Sequence, residues 1–294
     1  MLSYQHDYHS GNFADIHKHL TLRVLFESLL KKDKPFYYID CHAGSGQYDL
    51  QTDKPSRNKE YISGIARIWE TMTHPMAPKL KTTNESVLEA YIKAISTINT
   101  KNQLRYCPGS PCLAQQWLRT QDKAHFLELH PQALKSLRRY FKNDSRISLH
   151  ARDCYEGLPA LVPPTNIKRG LILLDPSYEQ KDEYSRIVSL LVKAYNKWPT
   201  GIYAIWYPLL PENRDQYLMR ALTKSGIDNI LISELTVAQN YEGAGLYGSG
   251  MAIVNPPWLT DKTLSQLMPT IAELLSPGVG ESVVHYHSRS QGAS

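Results

Sequence analysis

The chain has 294 residues, enough for one large domain with an insertion or for two modest ones. Hydrophobic residues make up 42% and charged residues 21%, which excludes a disordered or fibrous chain, and the longest apolar runs, such as Leu171-Ile-Leu-Leu174, are far too short to span a bilayer. The formal net charge of +5 hints at an anionic partner without establishing one.

Met1-Leu-Ser-Tyr-Gln-His6 lacks the basic-then-apolar pattern of a secretory leader, so a soluble, cytoplasmic protein is expected. The first helix is predicted from Asn12, a good N-cap, with Asp15 in its first turn and Ile16, Leu20, Val24, Leu25 and Leu29 at helical spacing. Lys31-Lys-Asp-Lys34 and Pro35 end it. A β-type run, Phe36 to Asp40, then opens into the glycine-bearing turn Cys41-His-Ala-Gly-Ser-Gly46, the usual start of a nucleotide-binding α/β sheet.

Residues 52–107 break this rhythm. They read as helices, Ile62 to Met72 and Ser86 to Ile98, joined by Pro- and Thr-rich links, and hold nine Lys or Arg against five Asp or Glu. A net of +4 suits a phosphate-binding face, and a solvated helical surface explains it as well. The expected division is therefore 1–51 for the first helix and strand, 52–107 for a helical insertion, and 108–294 for the rest of the main domain. Alternation then resumes: helix Pro111 to Arg119, strand Ala124 to Leu129, helix Pro131 to Phe141 and strand Ile147 to His150. Strand Gly170 to Leu174, helix Asp182 to Lys197, strand Gly201 to Tyr207, helix Glu212 to Lys224 and strand Ile230 to Val237 follow. A Gly/Tyr-rich loop, Asn240 to Gly250, leads to a last strand, Met251 to Val254. The pattern predicts an α/β fold: a mostly parallel, seven-stranded sheet with helices on both faces and an antiparallel hairpin at one edge. Cys41, Cys107, Cys112 and Cys154 form no CxxC pair and read as reduced thiols.

Three acids close three successive predicted strands: Asp40, Glu128 and Asp153. One shared ligand explains them better than three separate loops, with Glu128 placed for a ribose hydroxyl pair and Asp153 for an adenine amino group. Gly44 lets backbone amides approach that ligand. Asp175-Pro-Ser-Tyr178 is the most specific motif. An adenine amino group is a poor nucleophile because its lone pair is delocalised into the ring. The Asp175 carboxylate and the Pro176 carbonyl can accept its two N–H groups and aim the nitrogen at an electrophilic methyl, while Tyr178 offers a face for stacking the base. Zinc binding by the N-terminal histidines is disfavoured, since His17 and His19 face different directions on a helix; no metal is expected.

Taken together, Met1 to His6, His9 to Asn12, Asp15, Lys18-His19, Asp40 to Gly46, Gly64-Ile-Ala-Arg-Ile-Trp69, Leu104 to Pro111, Glu128-Leu-His-Pro131, Gly170 to Tyr178, Gly201-Ile-Tyr-Ala-Ile-Trp-Tyr-Pro208 and Asn255-Pro-Pro-Trp258 resemble the RlmJ family, adenine-N6 methyltransferases of 23S ribosomal RNA. The resemblance implies a Rossmann-like class I methyltransferase fold, S-adenosylmethionine as cofactor, and 23S ribosomal RNA, protein-free or partly assembled, as partner. It implies cofactor contacts at His19, His42, Ser110, Glu128 and Asp153, catalysis at Asp175, and Tyr4 and His6 near the substrate base. The family's motif is Asp-Pro-Pro-Tyr, so Ser177 departs from it and puts loop rigidity in question. Asn255-Pro-Pro-Trp258 matches the general pattern better, but its strand should run antiparallel and end on the opposite rim. It reads as a structural turn. The same chemistry on DNA, and a non-catalytic nucleic-acid-binding role in the use of external DNA, stay open at this point.

Overall fold

The structure is a computed structural model; it describes residues 8–52, 55, 58–73, 85–99, 103–240 and 245–287. The first helix, α1, spans Phe13–Leu30. Asn12 caps it, its side-chain oxygen accepting from the Asp15 N–H at 3.0 Å, which satisfies one of the orphan donors of a helix start. A surface helix would keep its polar residues outward. Here Asp15, His17, Lys18, His19 and Thr21 are buried along with the apolar positions, so α1 lies inside the molecule and its polar groups need partners there.

The strands are β1 (Tyr37–Asp40), β2 (Gln47–Asp49), β3 (Tyr106–Pro108), β4 (Lys123–Leu127), β5 (Ile147–His150), β6 (Gly170–Leu174), β7 (Ile202–Leu209), β8 (Ile230–Thr236), β9 (Gly248–Val254) and β10 (Glu281–Tyr286). Eight of them form one sheet in the order β10-β8-β9-β7-β6-β1-β4-β5. β5, β4, β1, β6 and β7 are mutually parallel, β9 runs antiparallel to both β7 and β8, and β10 pairs antiparallel with β8. The chain starts at β1, moves outward through β4 to β5, and returns to β6 on the other side of β1. The switch point between β1 and β6 is where such a sheet opens a crevice at the carboxyl ends of its strands. This is the Rossmann-like methyltransferase architecture.

The strand count differs from the expected seven, and the predicted edge hairpin is internal. β9 sits between β7 and β8, and β10, reached through a helix over Thr260–Leu275, forms the edge. Both differences have local causes. β9 begins with Gly248-Ser-Gly250, which reads as loop, yet a side chain at Gly250 would lie 2.1 Å from the Tyr207 ring; glycine in a strand marks such close approach. β10 alternates between exposed and half-buried residues, a weak pattern for an edge strand with one face only partly covered, where Val284 packs against the core.

Two apolar clusters sit on the two faces of the sheet. α1, with Ile16, Leu20 and Phe26, packs with Tyr38, Leu171 and Leu173 on one face. Ile39, Leu127, Ile172 and Leu174 belong to the other. β2 and β3 pair as an antiparallel ribbon that brackets the insertion. Its helix over Glu85–Ile98 buries Leu88, Tyr91 and Ile95 in the α1 cluster. Before it, a π-helical turn over Ile62–Ala66 is broken by Gly64, whose φ and ψ of −104° and −111° are non-helical. The Gly11 carbonyl accepts from the Ile65 N–H at 2.8 Å, and a Cβ on Gly64 would lie 2.0 Å from that same oxygen. The N-terminal segment can thus dock only on a glycine. Gly64→Ala is expected to lower stability by roughly 1–3 kcal/mol through overpacking against backbone, read by urea denaturation.

Candidate active site

A cavity of about 1010 Å³ opens at the carboxyl ends of β6, β1, β4 and β5. Strand alternation decides which side chains reach it. Asp40 shares a face with Tyr38, and Asp175 shares a face with Leu171 and Leu173. Both therefore point toward α1.

At Asp175 the consequence is an ion pair. Lys18 Nζ donates to Asp175 Oδ2 at 2.6 Å and lies 2.9 Å from Asp15 Oδ1. Lys18 is 4% exposed. Burial alone would discharge it, yet the two carboxylates outweigh burial and hold its ammonium well above the ordinary lysine range. Asp15 Oδ2 in turn accepts from the Gly11 N–H at 2.8 Å. The Asp175 N–H donates to His42 Nδ1 at 3.1 Å. Burial pulls His42 down to about 4, so the imidazole is neutral and its Nε2 carries the proton. Asp175, Pro176, Ser177 and His42 all line the cavity.

The other predicted cofactor contacts divide. His19, Gly44, Ser110, Glu128 and Asp153 line the cavity. Glu128 accepts from the Gly44 N–H through Oε2 and from the His130 N–H through Oε1, each at 2.7 Å; it latches the β1 turn while facing the cavity. Gly44 needs its positive φ of 61° there. Asp153 caps the helix Cys154–Leu161 by accepting from the Tyr155 N–H at 2.9 Å. His19 Nδ1 lies 3.2 Å from the Tyr91 hydroxyl. Asp40 is different. It is fully buried and is not among the lining residues; it accepts from the Tyr38 hydroxyl at 2.9 Å and the His42 N–H at 3.2 Å, and Ser110 bonds it as well. Burial raises it to about 6. Asp40 braces the wall of the cavity from behind, a correction to the direct ligand contact expected from the sequence.

Tyr178 also departs from expectation. Its φ is 54°, its hydroxyl donates to the Trp206 carbonyl at 2.7 Å, and Tyr184 packs on its ring at a centroid distance of 4.3 Å. At 4% exposure the ring offers almost no open face to a base. Tyr4 and His6 lie outside the described residues; His9 and Asn12, at the cavity mouth, share Glu60, at 2.9 Å and 3.0 Å. Asn255 sits where its motif was read as a turn: its side-chain amide donates to the carbonyls of Pro199 and Gly201, both at 2.8 Å, at the start of β7 and so on the rim opposite the cavity. The four cysteines are unpaired and buried.

Lys18 is a candidate site residue to which the sequence reading gives no role. Its signal was a lysine three residues after an N-terminal aspartate on an otherwise buried helix.

A family model described as ribosomal RNA large subunit methyltransferase D, RlmJ, matches residues 33–288. The chain belongs to the RlmJ family. Ribosomal RNA large subunit methyltransferase J of Escherichia coli (strain K12) is 40% identical over 97% of this chain and 99% of its own. The protein of the same description from Haemophilus influenzae is 35% identical, again over 97% and 99%. The crystal structure of a Legionella pneumophila protein superposes with a TM-score of 0.84 at 33% identity, covering 95% of this chain and 98% of that one. Matches of this extent take in the whole sheet and the cavity described above.

The Lys18 ammonium is stabilised in the folded state, so its contribution is fully present below the unfolded lysine value of about 10.4 and is lost only as pH rises through the higher folded value. Lys18→Met strands two carboxylates beside each other in a buried place. It should cost roughly 3–5 kcal/mol at pH 8. The loss should shrink toward pH 4, where the stranded acids take up protons. Denaturant melts of both proteins at the two pH values read this directly.

Proposed function

We propose that the cavity methylates the N6 amino group of an adenine in 23S ribosomal RNA, with S-adenosylmethionine as donor. The observation that carries the reading is the Asp175–Pro176 strand end, held against the buried Lys18 at the switch point of a methyltransferase sheet. The donor set fits the cofactor. Glu128 and Asp153 present carboxylate oxygens for hydroxyl and amino donors at the ends of neighbouring strands, and the cavity volume suits a nucleoside-sized ligand together with a base. When bound, S-adenosylmethionine supplies an electrophilic methyl group.

The chain's own residues do the rest. Lys18 takes one oxygen of Asp175, and the second oxygen is left to accept an N–H of the target amine. The Pro176 carbonyl accepts the other N–H; proline has no amide hydrogen of its own to compete. Together they draw the nitrogen lone pair out of conjugation and orient it. His42, neutral, fixes the peptide at the strand end through its Nδ1. His9 and Asn12 line the cavity, and a substrate role for Tyr4 and His6 is what the family resemblance implies. An unpaired or flipped adenine is required, since a base within a duplex cannot reach the cavity. Protein-free or partly assembled ribosomal RNA in the cytoplasm offers such a base.

Transfer of labelled methyl to protein-free ribosomal RNA tests this. Asp175→Ala should reduce turnover by about a hundredfold or more with RNA affinity little changed, because the lost contact is made most strongly in the transition state. Asn255→Ala should lower stability and leave turnover per folded molecule near normal. An active Asp175→Ala beside a folded but dead Asn255→Ala would overturn the assignment. In calorimetry, S-adenosylmethionine should bind without added metal, and Glu128→Ala should weaken it; unchanged affinity in that variant counts against the cofactor site.

A further inference from the structure

The β7 motif ends in Trp206-Tyr207-Pro208. On β7, Trp206 shares a face with Ile202 and Ala204, which pack in the α1 cluster. It is half-buried and lines the cavity. Its indole is held in place. Nε1 donates to Ser249 Oγ at 3.0 Å. Ser249 Oγ lies 3.0 Å from His17 Nδ1, and His17 Nε2 lies 3.0 Å from Ser233 Oγ. His17 is fully buried, and burial lowers it to about 3, so the ring is neutral, with one donor and one acceptor nitrogen. Both are spent on hydroxyls of β8 and β9. A tryptophan needed only for volume does not call for a chain of three buried polar side chains on three further elements, Ser249 on β9, His17 on α1 and Ser233 on β8.

The same stretch of α1 serves both sides of the cavity. His17 reaches the indole through Ser249, and the next residue, Lys18, holds Asp175 while its Nζ stands 6.0 Å from the indole centroid. The indole and the Asp175 carboxylate thus flank the same ammonium, and both line the cavity. Tyr178, which the motif alone would nominate for stacking, is covered by Tyr184, and its hydroxyl holds the Trp206 backbone.

We propose that Trp206 is the wall on which the target adenine stacks, and that His17 is a positioning residue that sets the tilt of the indole through Ser249. The proposal rests on the reading of the cavity as an adenine methylation site. An indole face can grip any base, and base–aromatic stacking changes affinity by roughly five- to a hundredfold. Specificity for adenine then comes from Asp175 and the Pro176 carbonyl at the edge of the stacked ring.

The chain has five tryptophans. Trp69, Trp117 and Trp198 are buried, and Trp258 is 86% exposed three residues beyond the Asn255 turn. A five-nucleotide single-stranded RNA carrying one adenine is titrated into the full chain loaded with S-adenosylhomocysteine, and tryptophan emission is followed. Quenching is expected in the wild type and in Trp258→Phe, and it should vanish in Trp206→Phe. In the transfer assay, Trp206→Leu should raise KM for RNA about tenfold or more, with cofactor affinity unchanged. Trp206→Phe, which keeps a ring, should recover most of that loss. Ser249→Ala frees the indole N–H and should raise KM a few-fold with kcat nearly constant. Quenching that persists in Trp206→Phe, or an unchanged KM in a folded Trp206→Leu, overturns the wall. An unchanged KM in Ser249→Ala overturns the positioning role. A wild type that is quenched yet transfers no methyl to any RNA overturns the methylation reading and leaves the wall standing.

Discussion

The buried ammonium of Lys18 is the constraint on which the rest of this structure depends. Three charged groups, Lys18, Asp15 and Asp175, meet largely buried in the cavity wall, and each would be costly alone. Together they are tolerable only if α1, the segment before it and the end of β6 keep their places to within a hydrogen bond. Asp15 passes the constraint outward: its second oxygen holds the Gly11 N–H, and Gly11 meets Ile65 through its carbonyl. A helix with this many buried polar residues is a poor choice for filling space. It becomes intelligible as a beam that fixes a carboxylate at a sheet switch point.

Much of this was legible in the sequence, because buried parallel strands read as apolar runs and the acids that end them stand out. Asp175, Glu128 and Asp153 stand out for that reason, and all three line the cavity. Asp40 was read with them and turned out to brace the wall. Sequence shows that an acid closes a strand; whether its carboxylate meets a ligand or a buried Tyr38 hydroxyl depends on what packs at the last residue. Lys18 was quoted within a motif but given no role. The local signal, Asp15 three residues earlier, does not say what else the lysine meets, since its other partner Asp175 lies 157 residues away. β9 and β10 were misread at the points where glycine and exposed residues replaced the usual strand composition, although the antiparallel direction of β9 was right and so placed Asn255 on the far rim.

The departure at Ser177 can now be weighed physically. A second proline would stiffen the loop after Asp175 by restricting both its own backbone and that of the residue before it. Here the loop is held from its other end. Tyr178 adopts a left-handed φ of 54°, an arrangement that costs a non-glycine residue energy and persists only where its surroundings enforce it. Tyr184 against the ring and the Trp206 carbonyl on the hydroxyl supply that enforcement. With Lys18 and His42 gripping Asp175 on one side and Tyr178 anchored on the other, Pro176 is held by its neighbours whatever residue stands at 177. The same anchor ties the Asp175 loop to β7, so the strand that carries Trp206 and the loop that carries Asp175 are held in one register.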